Sequence, residues 1–573
     1  MGKLIKNHYD YLALIFSVVV AAILRIVIPY SMVFQNGKVI YNAADAYYHM
    51  RYVDLIQANN QIQFADPYLM TNFGVAPFWD LLIASFNNYE VWAAYLPAIL
   101  GVLVLIPVFV ITKQIFKDKL ITSVAVVLGA VISGLFFART QLGAADHHAL
   151  EILLLTTIMM WLVLFLTNRT TMSLRKIAYI VLMEITFLFY YLTWGIPSLI
   201  IAIIFLLTMY LVILLHSYKS HRTWFKLFLG IPVIVIIIVL LSHLGYFGYL
   251  IKYSLPLIFS STIGEEWPLF FSYASDQNIF MDLSTTWGYF GILFFAMLVG
   301  IGMLLYRVIK YKQGHDILLL AWTVVILLLT LIMRRWAYYF AVNVVILSAF
   351  SIVVITRALI VVRNKINVKR LVFACVVGIA FIVVPFIRND VGITRNEYNY
   401  VSKGWQEAAQ FLRNQLTESQ DVEYYKVNWK DGDIVTTPYV LAWWDYGYYL
   451  VREAHMPVLS HGGGFGQVEV AKLLLSEDVN IVEQLKQLNV KYIVVDSKMA
   501  VEYFYAIVRL AGQDINNYYL NETARTLKYY NTLLAKLYLL NSVEGIEMVY
   551  ASGKLSLVPN ETWTAEVKVF KIE

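Results

Sequence analysis

Apolar runs of membrane-spanning length recur along the first two thirds of this 573-residue chain and limit what it can fold into. A bilayer core takes roughly 17 to 25 apolar residues in helical form, because backbone N–H and C=O groups find no water there. Such runs fall at about 11–34, 89–112, 120–138, 148–167, 177–194, 196–216, 224–243, 287–306, 316–333, 336–356 and 371–387, so eleven spans are expected. Composition agrees, with 60% of residues hydrophobic and 14% charged, against roughly 25% charged in an ordinary soluble protein. The run at 11–34 is too long for a signal core and lacks a clear small-residue cleavage site, so it reads as the first span.

Basic residues set the expected orientation, since short cytoplasmic loops hold the Lys and Arg excess. Lys3 and Lys6 place the N-terminus inside. Alternate loops then carry Lys113, Lys117 and Lys119; Arg169, Arg175 and Lys176; Lys219, Arg222 and Lys226; Arg307, Lys310 and Lys312; and Arg357, Arg363, Lys365, Lys369 and Arg370. An odd number of spans leaves 35–88, 139–147, 244–286 and everything after about residue 388 on the outer face. Segment 244–262 is apolar enough to span, but counting it would invert the later loops, so it is expected to lie at the interface or to re-enter. The formal charge of +6 is then a topology signal, and no nucleic-acid partner is expected. A single cysteine excludes a disulfide framework and a Cys-rich zinc site. Glu184, in the middle of a span, is expected to face the protein interior.

From Arg388 the composition becomes that of a soluble domain. The expected organisation is a transmembrane domain over 1–387 and a mixed α/β domain over 388–573. VSKGWQEAAQFLRNQL (401–416) has helical periodicity, VKYIVVD (490–496) reads as a buried strand, and EVKVFKIE (566–573) alternates like an edge strand. HGGGFG (461–466) lacks the strand-to-helix setting of a phosphate loop and reads as a turn.

Three polar clusters fall on the expected outer face: NAADAYYHMR (42–51), GAADHHALE (143–151) and STIGEEWP (261–268). Carboxylates with an occasional imidazole suit a hard or borderline divalent cation such as Mg²⁺ or Mn²⁺. Taken singly, Asp45 reads as a helix cap, Asp146 and its histidines as the polar start of a helix, and Glu265 and Glu266 as solvated surface. Arg334 and Arg335 alone read as snorkelling side chains. Convergence on one face points instead to a site, with the arginine pair as a cradle for a phosphate or pyrophosphate.

The soluble domain adds WWDYG at 443–447, with DAYYHMR (45–51), ADHH (145–148), TIGE (262–265) and RWAYY (335–339) upstream. In these motifs the chain resembles the catalytic subunit of oligosaccharyltransferase, the enzyme of asparagine-linked glycosylation, most of all its single-chain archaeal form. The resemblance covers nearly the whole chain. It implies a polytopic GT-C glycosyltransferase fold, usually with thirteen spans, followed by the α/β domain. It implies transfer of a glycan from a dolichyl-type phosphate or diphosphate lipid to the Asn amide of Asn-x-Ser/Thr sequons, inverting and metal-dependent. Asp45, Asp146, His148 and Glu265 would surround Mn²⁺ or Mg²⁺, and Asp45 and Glu265 would engage the acceptor amide. Arg335 would hold the lipid phosphate, while Trp443, Trp444 and Asp445 receive the sequon hydroxyl. Ile507 would line that pocket, although Ala500 and Tyr503 stand where many relatives have Asp and Lys. A single subunit in the cell membrane, with an extracytoplasmic active face, is the implied setting.

Two other classes are open to such a sequence. Another polyprenyl-phosphate-sugar transferase, such as a protein O-mannosyltransferase, also places an acidic motif in its first external loop, but does not need WWDYG. A transporter or flippase predicts internal repeats and midplane polar residues, and the chain shows no repeat. Sequons stand at Asn168, Asn521 and Asn560; the first is expected inside and the other two on the outer face.

Overall fold

The computed structural model describes residues 2–60, 65–69, 71–72, 78–168, 173–193, 204, 207–208, 210, 281–362, 368–397, 401–426, 435–463, 466–521, 524–558 and 562–573. Among these, seven helices are long and apolar enough to cross a membrane: His8–Val33, Tyr89–Phe116, His148–Thr167, Leu174–Thr193, Ile292–Tyr311, Gly314–Leu331 and Arg334–Leu359. Each falls on an expected span, and the chain is a multi-pass membrane protein. The expected spans at 196–216 and 224–243, the segment 244–262 and Glu265 lie outside the described residues, apart from helical positions 204, 207, 208 and 210. The run at 371–387 sits within a longer helix, Val368–Glu397, that continues past the change of composition at residue 388.

Two expected spans are interrupted by glycine. The run at 120–138 splits into Lys119–Val131 and a single turn over Leu135–Ala138. Between them Gly134 takes φ +72°, and a Cβ there would meet the Tyr289 ring at 2.7 Å. Glycine adopts this backbone without steric cost. Carbonyls freed by the break need partners in an apolar bundle. Arg25, fully buried in the first span, donates from Nη1 to Ala130 O at 2.9 Å and from Nε to Thr140 Oγ1 at 3.1 Å. Gly291, at φ +50°, likewise separates Leu283–Phe290 from Ile292–Tyr311, which moves that span toward its C-terminal end. Glu184 does not face the interior: among the described residues it is exposed on Leu174–Thr193.

Helices in the bundle approach closely through small residues, as apolar solvent gives them no hydrophobic reason to associate. A Cβ on Gly300 would lie 2.5 Å from Leu347 O, and Ser348 and Ser351 donate across the same seam to Leu293 O and Ala296 O at 2.7 and 2.6 Å. At one end of the bundle Lys113 pairs with Asp10 at 2.8 Å, Arg307 with Asp316 at 2.9 Å, and Arg357 with Asp118. These pairs gather basic loops that were expected to share a face.

The C-terminal part builds a four-stranded sheet in the order Tyr439–Leu441, Val490–Asp496, Val567–Ile572, Ile546–Ala551. The first pair is parallel and the others antiparallel. VKYIVVD forms its strand end to end, and Lys403–Arg413 is a helix capped by Ser402. Strand Val567–Ile572 corrects the edge-strand expectation, because it lies inside the sheet. Lys568 is 3% exposed and donates Nζ to Tyr538 O at 2.6 Å and Asn541 Oδ1 at 2.7 Å. Within HGGGFG, among the described residues, Gly462 and Gly463 form a turn, and Gly466 takes φ +64° with a Cβ position 1.9 Å from Leu459 O.

Hydrophobic cores do not divide where composition does. One fills the helical bundle. The other large one runs from the segment that follows the first span, through Tyr47, Met50, Val53 and Trp79, into Trp405, Leu450, Val494 and Phe570 of the C-terminal part. At about 1.5–3 kcal/mol for each large apolar side chain buried, this shared core welds the acidic motif of residues 42–51 to the sheet domain.

Candidate active site and metal centre

Helix Ala44–Asn59 carries Asp45 in its first turn, and helix Gly447–Ala454 carries the end of WWDYG. Their contact is aromatic on one face, with Tyr47 edge-on to Tyr449 at 5.0 Å and Tyr48 against Tyr448 at 5.1 Å. Ions lock the other face. Arg452, buried, pairs with Asp54 at 3.1 Å, Glu90 at 2.5 Å and Glu453 at 2.7 Å. Arg51 grips Asp66 from Nε at 2.8 Å and from Nη2 at 3.2 Å, and donates from Nη1 to Tyr424 O at 2.7 Å. Guanidinium groups suit such buried forks better than ammonium.

This contact brings WWDYG up to the acidic motif. Trp443 is 3% exposed, while Trp444 and Asp445 are half-buried. Gly447 starts the helix where the 460–461 backbone passes, and a Cβ there would lie 2.2 Å from Ser460 O. Tyr446 stacks on Trp405 at 3.8 Å and donates to Asp496 Oδ2 at 2.7 Å, while Trp405 Nε1 donates to the same oxygen at 2.8 Å. Burial, reinforced by the charges of Asp45 and Asp496 and partly relieved by Lys498, pushes Asp445 up to about 7. Asp45 itself is exposed. Ile507 is fully buried in the core that the motif shares, and Tyr503 lies within the field of Asp445.

The second motif folds into a cluster of imidazoles and carboxylates around Asp146. Its Oδ1 lies 3.2 Å from His49 Nε2 and 2.6 Å from His147 Nδ1, and its Oδ2 lies 3.3 Å from both His148 Nε2 and Arg139 Nη1. Glu151 Oε1, one turn into the helix His148–Thr167, stands 2.9 Å from His147 Nε2 and 3.4 Å from His148 Nδ1. Nδ1 of His49 meets Asp80 Oδ1 at 2.8 Å. Burial opposes charge at both His49 and Asp146. At His49 the carboxylates of Asp80 and Asp146 outweigh burial and raise the imidazole to about 9, and at Asp146 the histidines outweigh it and hold the carboxyl well below its usual range.

Two ligand groups emerge among the described residues, His49–Asp146–His147 and His147–His148–Glu151. The residues fit a cation: Asp146 Oδ1 and Glu151 Oε1 are buried and receive no well-formed hydrogen bond, although imidazole nitrogens crowd both. Lone pairs that converge at this range call for a shared proton or a metal. Of the residues expected at the metal, Asp146 and His148 lie in the cluster. Asp45 belongs to neither group, and Glu265 is outside the described residues.

Arg335 opens the span Arg334–Leu359, half-buried, one turn before Tyr338. Tyr338 donates its hydroxyl to Glu151 Oε2 at 3.3 Å and stands 3.3 Å from His148 Nδ1, and Tyr339 also donates to Glu151. Sequence reasoning missed His49, Asp80, Arg139, Glu151 and Lys498, and did not single out His147. His49 was legible four residues after Asp45, on the same helical face, as was Glu151 four after His147; nothing in the sequence marks Asp80 or Lys498.

Residues 15–274 match the family model "Oligosaccharyl transferase STT3, N-terminal", and residues 436–545 match "STT3/PglB/AglB core domain". The chain is 25% identical to dolichyl-phosphooligosaccharide-protein glycotransferase 3 of Archaeoglobus fulgidus, over 89% of this chain and 72% of that one. It superposes on the archaeal oligosaccharyltransferase AglB of A. fulgidus, solved with an inhibitory peptide and a dolichol-phosphate, with a TM-score of 0.82 at 20% identity, covering 99% of this chain and 89% of that one. An A. fulgidus oligosaccharyltransferase structure in complex with Zn and sulfate gives a TM-score of 0.75 at 21% identity, over 98% and 88% of the two chains. Both family models lie on the two halves of the site, the first on the acidic motifs and the second on WWDYG, and the chain belongs to the STT3/PglB/AglB family of oligosaccharyltransferases.

Proposed function

We propose that this chain transfers a glycan from a dolichyl-type phosphate or diphosphate lipid to the side-chain amide of Asn in Asn-x-Ser/Thr sequons. The observation that carries this reading is the packing of helix Ala44–Asn59 on helix Gly447–Ala454, which puts Asp445 within the field of Asp45. An acceptor whose hydroxyl meets WWDYG then has its Asn two residues away, toward Asp45.

An amide nitrogen is a poor nucleophile because its lone pair is delocalised. Carboxylates that accept both its N–H bonds weaken that conjugation, and Asp45, exposed and at a helix start, has the position for one of them; Glu265 is the proposed second. Arg335 is proposed to hold the phosphate of the lipid, so that nucleophile and leaving group lie on opposite sides of the sugar and attack inverts the anomeric carbon. A divalent cation, Mn²⁺ or Mg²⁺, would neutralise charge on the departing phosphate when bound. Asp146 and His148 are proposed to hold it, with Asp45 and Glu265 completing the set. Trp443 and Trp444 give the hydroxyl pocket rigid walls, and a ligand without the hydroxyl forgoes the hydrogen bond that Asp445 is proposed to accept. The extracytoplasmic orientation and action as a single subunit are part of the same proposal.

The test is the product. Purified protein supplied with a lipid-linked oligosaccharide extract should yield a peptide glycosylated on the Asn amide with inverted anomeric configuration, seen by mass spectrometry and NMR and lost with EDTA. Glycan on Ser or Thr oxygen would instead establish an O-glycosyltransferase.

A further inference from the structure

The atoms that converge most tightly at the cluster are not those of Asp146 and His148 alone. His49 Nε2, Asp146 Oδ1 and His147 Nδ1 are separated by 3.2, 2.6 and 3.0 Å. Metal bonds of about 2.1 Å at right angles place neighbouring ligand atoms about 3.0 Å apart. The three atoms therefore have the spacing of one coordination face. Asp146 Oδ1 is buried and accepts no well-formed hydrogen bond, while Arg139 and His148 engage the opposite oxygen.

His49 is held for this task by Asp80. The imidazole Nδ1 lies 2.8 Å from Asp80 Oδ1, with side chains only 9% and 6% exposed. A carboxylate that takes the Nδ1 proton leaves the Nε2 lone pair directed at Asp146, the arrangement by which metal-ligating histidines are fixed and made more basic. Resting on the proposed reading of this cluster as a cation site, we propose that His49 is a direct metal ligand beside Asp146 and His147, and that Asp80 is its positioning residue. Two imidazoles and a carboxylate favour a borderline ion such as Mn²⁺ or Zn²⁺ over Mg²⁺.

Metal binding tests this apart from transfer. The full-length protein, stripped with chelator, is titrated with Mn²⁺ and the free aqueous ion followed by EPR. Asp80→Asn should weaken binding by about 10–100-fold, Asp80→Glu should recover part of the loss, and His49→Gln should weaken it more than Asp80→Asn does. With Co²⁺ in place of Mn²⁺, the visible spectrum of His49→Gln should differ from wild type. Thermal unfolding of the stripped proteins separates ligand loss from misfolding, and wild-type and variant midpoints should agree. Unchanged Mn²⁺ affinity and an unchanged Co²⁺ spectrum in folded His49→Gln overturn the assignment. A wild-type chain that binds Mn²⁺ through His49 yet transfers no glycan overturns the proposed function and leaves this ligand set standing.

Discussion

Asp445 shows how much a single residue's chemistry depends on neighbours that sequence places far away. In an open loop it would be ionised throughout the neutral range, but burial together with Asp45 and Asp496 pushes it up to about 7. A sequon hydroxyl donates most strongly to the ionised carboxylate, so acceptor binding releases a proton. The KM for an Asn-x-Thr peptide should therefore fall as pH rises through about 7, and Asp445→Asn should flatten that dependence, as measured by initial rates at fixed metal and lipid donor. A hydrogen bond to a charged acceptor contributes about 1.5–3 kcal/mol, so Asn-x-Ala, which lacks the hydroxyl, should lose roughly tenfold to hundredfold in kcat/KM. WWDYG, Asp146, His148 and Arg335 stood out in the sequence through motif and shared expected face, not through any one residue type. Asp80 and Lys498 did not, since each faces a partner distant in sequence.

At the scale of elements, the site is a joint between helix Ala44–Asn59 and helix Gly447–Ala454. The glycine of WWDYG is required by that joint: Gly447→Ala sets a Cβ 2.2 Å from Ser460 O, and overpacking against backbone should destabilise the C-terminal part by about 1–3 kcal/mol. Arg452 clamps the same joint through Asp54 and Glu90. Arg452→Met leaves the buried carboxylate of Asp54 without its cation and should cost about 3 kcal/mol, read as a fall in the thermal midpoint in detergent together with a raised KM for peptide. Spans were legible as elements because apolar length is nearly sufficient to define them. The breaks at Gly134 and Gly291 were not, because a membrane helix tolerates glycine and only the neighbouring ring or helix decides whether it bends. Strand Val567–Ile572 misled for a related reason: its alternation is genuine, but Lys568 answers its charge to a carbonyl inside the protein.

Across the described residues, one hydrophobic core joins the segment that follows the first span to the C-terminal sheet, so the division at residue 388 that composition suggests is not where packing divides. Ion pairs Asp10–Lys113, Asp316–Arg307 and Asp118–Arg357 collect at one end of the bundle, which is the end that the basic loops mark as inner. If that orientation holds, Asn521, exposed on the C-terminal part, is open to glycosylation in a cell that supplies donor, and Asn168 is not; peptide mapping by mass spectrometry checks both, and sugar on Asn168 would invert the topology. The central claim is tested most directly by a single gel-shift assay. Purified protein, lipid-linked oligosaccharide extract and Mn²⁺ are incubated with fluorescent Asn-x-Thr or Asn-x-Ala peptide, with Asp45→Ala alongside. A mobility shift that appears with Asn-x-Thr, is greatly reduced with Asn-x-Ala and disappears in Asp45→Ala is the predicted result. Equal shifts with both peptides, or full activity in folded Asp45→Ala, would contradict it.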